Sequence, residues 1–389
     1  LTSLSTCNGF PMQDLDIRNR SIAILDTASR VDGRENLSFN EKIELVTYNT
    51  GNRAFFQGLR AQFPQAAVKT EWEQLGQDVD TVILSMANFI NPFSELTDPL
   101  KAVENCGSRG VVLIGAGAQA QNYDSTFELR SDTRQFLDAI LRRSESIDGR
   151  GEYTAELLRR NRYDRVRVIG CPSIYGSGLM PPEISGSLGA GRLAIGFTPS
   201  GHHREAIRTL YAYAVRHDAT YVLQSELHLR RLFENDESDS EALEKLSFFI
   251  NYYAPNALGD GVFETWLRKR GEFFFHPDPW IARMRECDLY VGGRIHGSIL
   301  ALKAGRRALT LVCDTRTREL CEHFNLPFID IGAFDPDRDL NYYFELADPA
   351  NFLATYRTRL DEYVRFLEEN GLHSPLLADQ RPAALQQQP

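Results

Sequence analysis

The sequence predicts an α/β protein built from two doubly wound, Rossmann-type domains that face a central cleft. Three observations predict it. Short apolar strand-like runs alternate with amphipathic helical stretches along most of the chain, the pattern of parallel sheets with helices on both faces. The alternation stops once, in a stretch rich in glycine, proline and serine, and then restarts. A length of 389 residues also suits two domains of roughly 100–200 residues each.

Taken in order, the strand candidates are residues 21–25, 81–85, 110–114, 166–169, 193–197, 220–223, 272–275, 289–292, 308–312 and 327–329. Most are near-continuous apolar runs, as expected of strands covered on both faces. Helical patterns lie between them. In residues 203–216, for example, Ala206, Ile207, Leu210, Tyr211, Ala214 and Val215 share one face. Residues 176–191 hold five glycines, two prolines and three serines and read as the interdomain linker. The expected division is a first domain over 1–185 and a second over 190–345. A segment over 346–377, helical from about 349 to 370, can cross back onto the first domain, and a disordered tail occupies 378–389. Residues 234–244 carry six acidic side chains and read as a solvated helix start. In such folds ligands sit beyond the carboxyl ends of the strands, so residues just after strands carry most weight.

Composition excludes several classes. With 42% hydrophobic and 25% charged residues the chain is too apolar for disorder. A net charge of −10 argues against nucleic acid or an anionic membrane surface as the main partner. Yet only 6 of the 43 basic residues are lysines. That arginine excess reads either as anion-binding forks or as the imprint of a GC-rich genome. No run approaches the roughly 18–20 apolar residues of a membrane helix, and no signal-peptide pattern opens the chain. The chain begins at Leu1 with its first methionine at Met12, so residues upstream are expected to be missing, with or without an anchor among them. The six cysteines (Cys7, Cys106, Cys171, Cys287, Cys313, Cys321) have no CxxC spacing, mostly sit in apolar strand contexts and read as reduced core thiols of a cytoplasmic protein. The pair His202-His203 belongs to no metal-ligand spacing, and no metal is expected.

Five segments carry candidate chemistry. Gly115-Ala-Gly117-Ala-Gln119-Ala120 satisfies G-x-G-x-x-[GA] after a strand. However, it follows the third strand and 122–125 interrupts the expected helix, so a glycine turn at a close backbone approach is preferred, with Gln119 in reach of a hydroxyl. Asn49-Thr50-Gly51-Asn52 precedes a helical run; Asn52 reads as its cap, or the loop offers backbone N–H groups to an anionic or hydroxylated ligand. Arg150 stands just before a helix start with Thr154 and Glu156 as polar companions. At Gly292-Gly-Arg294-Ile295-His296-Gly297 a buried strand ends and an arginine and a histidine emerge where a helix begins, able to converge on one anion. An arginine–carboxylate tie between domains is the other reading. Asp314, with Arg316 and Arg318 after it, reads as a helix cap or a hydroxyl-binding acid.

The segments Arg150-Gly-Glu-Tyr-Thr-Ala-Glu-Leu-Leu158, Ile169-Gly-Cys-Pro-Ser173, Gly293-Arg-Ile-His-Gly297 and Asp314-Thr-Arg-Thr-Arg-Glu319, in this order, resemble the polysaccharide pyruvyl transferase family. The resemblance runs over roughly 145–330, is weaker over 49–52 and 115–119, and is absent before about residue 40. It implies a GT-B-like fold that moves the pyruvate unit of phosphoenolpyruvate onto a sugar, as in exopolysaccharide biosynthesis, leaving a pyruvate ketal. Donor binding transfers onto Arg150, Arg294, Ile295 and His296, with Arg294 and His296 catalytic. The second domain becomes the donor side and the first the acceptor side. Asn49, Asn52, Gly117, Gln119 and Asp314 are the acceptor candidates read from the residues. Where many members resemble D-x-K this chain has Asp314-Thr315-Arg316, so no lysine role transfers there.

Chemistry agrees with that implication. Phosphoenolpyruvate carries about three negative charges, which arginine forks suit, and a histidine with an ordinary pKa of about 6.5 can deliver a proton. The scheme needs no cofactor and no metal beyond the donor substrate. The expected partners are phosphoenolpyruvate and a sugar or glycan acceptor, free or lipid-linked, and no nucleic acid. The expected location is the cytoplasm, up to the inner face of the membrane. Two alternatives stand beside it: a GT-B glycosyltransferase using a nucleotide sugar, with Arg294 on the diphosphate, and a catalytically silent sugar-binding protein of the same fold.

Overall fold

A computed structural model describes residues 21–74, 79–120, 126–175, 181–197, 201–233, 239–255 and 258–373. Cys7, segment 122–125, the start of the linker, the first half of the acidic run and the expected tail over 378–389 lie outside them.

The amino-terminal half contains β1 (Ile22–Leu25), α1 (Phe39–Leu45), α2 (Gly51–Gln62), β2 (Ala67–Lys69), β3 (Thr81–Ser85), α3 (Thr97–Asn105), β4 (Gly110–Ile114), α4 (Ser131–Leu141), β5 (Ile147–Gly149), α5 (Glu152–Arg160) and β6 (Val166–Val168). Its sheet has the parallel order β2-β1-β3-β4. A bridge between Ala116 and Gly149 extends it to the parallel pair β5-β6.

The second half contains β7 (Leu193–Gly196), α6 (Arg204–Arg216), β8 (Thr220–Leu223), α7 (Ser240–Tyr253), α8 (Val262–Arg270), β9 (Gly271–Phe273), α9 (Pro277–Arg285), β10 (Leu289–Gly292), α10 (Ile295–Lys303), β11 (Arg307–Val312), α11 (Thr315–Phe324), β12 (Phe328–Asp330), α12 (Leu340–Leu346) and α13 (Ala350–Glu369). Its parallel order, β12-β11-β10-β7-β8-β9, is the doubly wound order in which winding reverses between β7 and β10. Two such sheets make the GT-B-like architecture. No described helix is long and apolar enough to cross a membrane.

Alternation along the strands explains the layering. Ile22 and Ile24 of β1, Val112 and Ile114 of β4, Val222 of β8 and Tyr290 of β10 belong to one continuous core. Ala23, Leu25, Val111 and Leu113 face a second core, and Tyr221, Leu223, Leu289 and Val291 a third. The shared core runs from one sheet to the other through α2 and α10, which pack on each other. It also takes in α13, where Tyr363 stacks on Tyr175 at 4.9 Å and its hydroxyl donates to Gln62. The end of α13 reaches Arg167 through Glu369, and Asn370 accepts the N–H groups of Glu145 and Ser146.

Two strands escaped the sequence reading for physical reasons. β2 is a three-residue edge strand with Ala67 and Val68 exposed, and β5 ends in Asp148-Gly149, which breaks an apolar run. The strand expected over 272–275 instead ends at Phe273. The carbonyl of Phe275 turns to accept Arg53 at 3.2 Å and Pro277 opens α9. The cysteines also depart from expectation. Cys106, Cys171, Cys287 and Cys321 are buried free thiols, but they sit at helix ends, in a turn and within α11.

The reversal between β7 and β10 is a tight fit. Gly292 pairs with Gly196, and a Cβ on Gly292 would lie 2.1 Å from the Gly196 carbonyl oxygen. Gly292→Ala is therefore expected to destabilise the fold by about 3 kcal/mol through backbone overpacking. Gly186→Ala, at a position with nothing within 4 Å, should leave the unfolding midpoint unchanged. Equal urea midpoints for both variants would refute this account of the switch point.

Candidate functional site

At that reversal β10 ends, Gly292 and Gly293 let the chain turn, and Arg294 precedes the first turn of α10. Arg294 Nη2 donates to Ser225 Oγ and, at 2.5 Å, to Glu226 Oε1. Glu226 is buried, and its other oxygen accepts the N–H groups of Gln224 and Ser225 at 2.5 and 3.0 Å. An arginine–carboxylate tie therefore exists, but within the second domain rather than between domains. Arg294 Nε remains buried without a partner among the described residues.

His296 is buried in the first turn of α10, and its Nε2 has no partner among the described residues. Burial first, and then the nearby charges of Arg150, Arg316, Arg294 and Lys303, pull its pKa down to about 3. The imidazole is thus neutral near pH 7, unlike the ordinary histidine the sequence suggested. Lys303, at the other end of α10, is pulled down by burial to about 8.

The start of α2 abuts His296. A Cβ on Gly51 would lie 2.5 Å from Gln224 Oε1 and 2.8 Å from His296 Nδ1, so a side chain there would displace Gln224 and His296. Thr50 N–H donates to the Gln224 carbonyl at 3.0 Å, joining the two domains. Thr50 Oγ1 and Gln224 Nε2 are buried and also lack partners among the described residues. Asn49 accepts the Gly51 N–H at 2.9 Å. Asn52, read as the cap of α2, is not: it lies inside the helix, and its amide donates to Thr47 Oγ1 at 2.7 Å. There it braces Thr47 and Tyr48, both in the left-handed region with φ of 54° and 57°.

Arg150 approaches from the first domain. Its Nε donates to the Gly115 carbonyl at 3.0 Å, and its Nη2 is buried without a partner among the described residues. Gly115 and Gly117 form its cradle. A Cβ on Gly117 would meet Arg150 Cδ at 2.9 Å, and one on Gly115, with φ of 77°, the ring of Phe55 at 2.6 Å. The residues after Gly117 form a bridge at Ala118 and no helix through Ala120, so the glycine-turn reading holds in place of a dinucleotide loop. Gln119 is exposed, its N–H bonded to the Ile90 carbonyl.

The amino terminus of α5, just after Arg150, is filled from the other domain. Glu319 of α11 accepts Thr154 N–H at 2.9 Å and Thr154 Oγ1 at 2.8 Å, and that hydroxyl accepts Ala118 N–H at 2.8 Å. Glu156 instead forms a surface pair with Arg160 at 3.5 Å. Asp148, fully buried, accepts Gly115 N–H at 2.5 Å, and burial holds its carboxyl well above the usual range. Asp314 caps α11 through Thr317 N–H and pairs with Arg316 at 2.9 Å. Burial works against its ionisation, but these partners hold its pKa below the ordinary value. Arg318 is tied to Asp330. Ile295 is half-buried against the shared core.

The structure thus joins Arg150, Arg294 and His296 with Thr50, Gly51 and Gln224, while Asn52, Gln119 and Asp314 have other structural roles. Gln224 and Glu319 were absent from the sequence reading's candidate set. A hollow of about 530 Å³ lies at the carboxyl ends of β11 and β12, with Asp314, His203 and Asp330 on its wall. Among the described residues no group of three or more histidine, cysteine, aspartate or glutamate side chains could hold a metal ion.

This arrangement defines a two-domain α/β protein with a closed, donor-rich polar centre at a topological switch point. The sequence profile of the polysaccharide pyruvyl transferase family matches residues 49–315, more than half of the chain, and the chain belongs to that family. The matched stretch includes Thr50, Gly51, Arg150, Gln224, Arg294 and His296. No curated protein matches in sequence. Among solved structures, Anabaena Alr3699/HepE in complex with UDP-glucose is similar at 12% identity, covering 90% of this chain and 98% of that one with a TM-score of 0.44. A putative UDP-N-acetylglucosamine 2-epimerase from Listeria monocytogenes is similar at 14% identity, with 76% of each chain covered and a TM-score of 0.41. Methanocaldococcus jannaschii UDP-GlcNAc 2-epimerase is similar at 9% identity over 87% of this chain and 99% of that one, with a TM-score of 0.36.

Glu319 supplies a test of this geometry. Burial is the main cause of its pKa of about 7, outweighing the two Thr154 hydrogen bonds and Arg150. The folded state therefore holds this proton more tightly than the unfolded state, with its carboxyl near 4.3. The associated stability is present below that value and lost as pH rises through about 7. Relative to Glu319→Gln, wild-type unfolding free energy should fall by about 3 kcal/mol across this interval. Urea melts from pH 4 to 8 measure it, and a pH-independent difference would contradict the buried bridge.

Proposed function

We propose that this chain transfers the pyruvate unit of phosphoenolpyruvate to a sugar of a polysaccharide or its precursor, forming a pyruvate ketal and releasing phosphate. Within a family of polysaccharide pyruvyl transferases, one observation supports this reading above the others. Arg150 Nη2, Arg294 Nε, His296 Nε2, Gln224 Nε2 and Thr50 Oγ1, from both domains, are buried without hydrogen-bond partners among the described residues. Leaving a buried polar atom unpaired costs about 1–3 kcal/mol, so such a cluster is arranged for a ligand that supplies the acceptors. A small trianion does.

The charges suit it. Arg294 is matched by Glu226 and Arg316 by Asp314, while Arg150 and Lys303 form no ion pair among the described residues. Two net cations against about three negative charges leave one unmatched. Donor binding reverses the cationic field that adds to burial in keeping His296 neutral, and draws a proton onto it. The imidazolium then protonates the methylene carbon of phosphoenolpyruvate as a sugar hydroxyl oxygen adds to C2. The C2–O bond to phosphate breaks, with Arg150 and Arg294 stabilising the departing anion. A second hydroxyl adds to C2 and closes the ring. Of the two hydroxyl protons lost, one restores that delivered to the new methyl group and the other leaves on phosphate, so the reaction balances without a co-reactant. Access requires the seam bonds from Thr154 to Glu319 and from Thr315 to Ala120 to loosen, because Arg150, His296, Gln224 and Thr50 are all buried.

Phosphate release from phosphoenolpyruvate across a panel of acceptor glycosides tests the assignment. His296→Ala should lose about 100-fold or more in turnover with an unchanged melting temperature. Arg294→Ala is best combined with Glu226→Gln, so that no buried carboxylate is stranded, and should lose turnover similarly. Arg150→Ala should chiefly weaken donor affinity. Undiminished release from the His296 variant, or stabilisation by nucleotide sugars but not phosphoenolpyruvate, would overturn the proposal.

Proton linkage provides a second test. Donor binding at pH 7 should take up about one proton in wild type and measurably less in His296→Ala. Titration calorimetry in buffers of different ionisation enthalpy reads this difference. Equal uptake by both proteins would remove His296 from the role of proton carrier.

A further inference from the structure

Thr50 and Gln224 are two non-ionisable side chains in a centre whose other donors, Arg150, Arg294 and His296, are ionisable. Gln224, just beyond β8, is 2% exposed, and Thr50, just before α2, is fully buried. Their backbones are joined by the Thr50 N–H bond to the Gln224 carbonyl at 3.0 Å. Their side-chain Oγ1 and Nε2 atoms have no partner among the described residues. Gly51 lets the start of α2 pack close against Gln224 and His296, because a Cβ there would stand 2.5 Å from Gln224 Oε1 and 2.8 Å from His296 Nδ1. Two unpaired hydrogen-bond donors, one from each domain, are therefore buried on residues joined by a backbone hydrogen bond.

Resting on the donor reading above, we propose that the Thr50 hydroxyl and the Gln224 carboxamide seat the carboxylate of phosphoenolpyruvate, while Arg150 and Arg294 take its phosphate. The division follows charge. The phosphate end bears about two negative charges and favours guanidinium donors, whereas the singly charged carboxylate is satisfied by two neutral donors. It also follows from the chemistry. The carboxylate remains on the substrate, while phosphate departs and must exchange its bond to carbon for stabilisation by cations. Seated in this way, C2 lies between a fixed carboxylate and a leaving group held by arginines. Thr50 and Gln224 would then select an enol phosphate with a 2-carboxylate over other phosphates.

Gln224→Ala and Thr50→Val test the assignment with two probes, phosphoenolpyruvate and inorganic phosphate, by titration calorimetry on the full chain. The backbone bond between residues 50 and 224 survives either change, and unliganded melting temperatures check that both variants fold. Phosphoenolpyruvate affinity should fall about 10-fold or more in each variant, as for loss of a hydrogen bond to a charged group, while phosphate affinity changes less than about 2-fold. Thr50→Ser, which restores the hydroxyl, should recover most of the loss. Equal weakening toward both probes, no weakening toward either, or an effect confined to the KM of the acceptor glycoside would overturn the proposal. If wild type binds phosphate but neither binds nor turns over phosphoenolpyruvate, the donor reading itself fails, and the carboxylate seat fails with it.

Discussion

Burying Arg150 beside Arg294 and His296 is the constraint on which the rest of the site depends. Isolated charges in a dry interior are costly unless paired or neutralised, and each is handled differently. Arg294 is fixed by Glu226, whose second oxygen is itself held by two backbone N–H groups. His296 gives up its proton. Arg150 lies along a glycine-lined cradle with one guanidinium nitrogen bonded to a carbonyl and another left over. The buried carboxyls Asp148 and Glu319 hold the cradle and the seam, and burial raises the pKa of both. The pairing is complete enough to permit folding and incomplete where the proposed ligand would sit.

Glycine makes this density possible. Gly292 lets β10 lie against β7, Gly117 lets Arg150 pass, and Gly51 lets the first turn of α2 meet His296 and Gln224. The approaches at Gly292 and Gly117 lie inside a domain, and the one at Gly51 joins the first domain to Gln224 and His296 of the second. The shared core, running through α2 and α10, makes the meeting of the domains rigid on one side. On the other side polar bonds through Thr154, Glu319, Thr315 and Ala120 close the seam. Such bonds exchange with water at little net cost, whereas the apolar core does not, so opening on the polar side is the easier motion.

Much of this was legible in the sequence. Near-continuous apolar runs marked most strands, and an arginine and a histidine just after Gly292-Gly293 marked a strand's carboxyl end as a candidate site without reference to contacts. What was not legible depended on long-range pairing. Glu226 neutralises an arginine 68 residues away, and Glu319 bonds Thr154 over a separation of 165. Gln224 follows a strand with no glycine or charge to single it out. Asn52 looked like a cap because caps are local, but its actual work is to brace a left-handed turn at Thr47 and Tyr48. Short edge elements such as β2 lack enough buried residues to show a period.

The helix amino termini bring these strands together. Near Arg150, α5 receives the Glu319 carboxylate from the opposite domain, and α11 is capped by its own Asp314. Neither end is left to attract an anion. By contrast, α2 and α10 begin at Thr50 and Arg294 with no side-chain cap, and these two ends face each other across Gly51 and His296. Two positive dipole ends brought together repel slightly, and Arg294 at the start of α10 adds to the field. A fold selected for stability alone would place a carboxylate there, as it does at α5. The open pair of termini, with the Thr50 and Gln224 side chains unpartnered among the described residues beside it, is therefore the place where the proposed donor anion would be stabilised most.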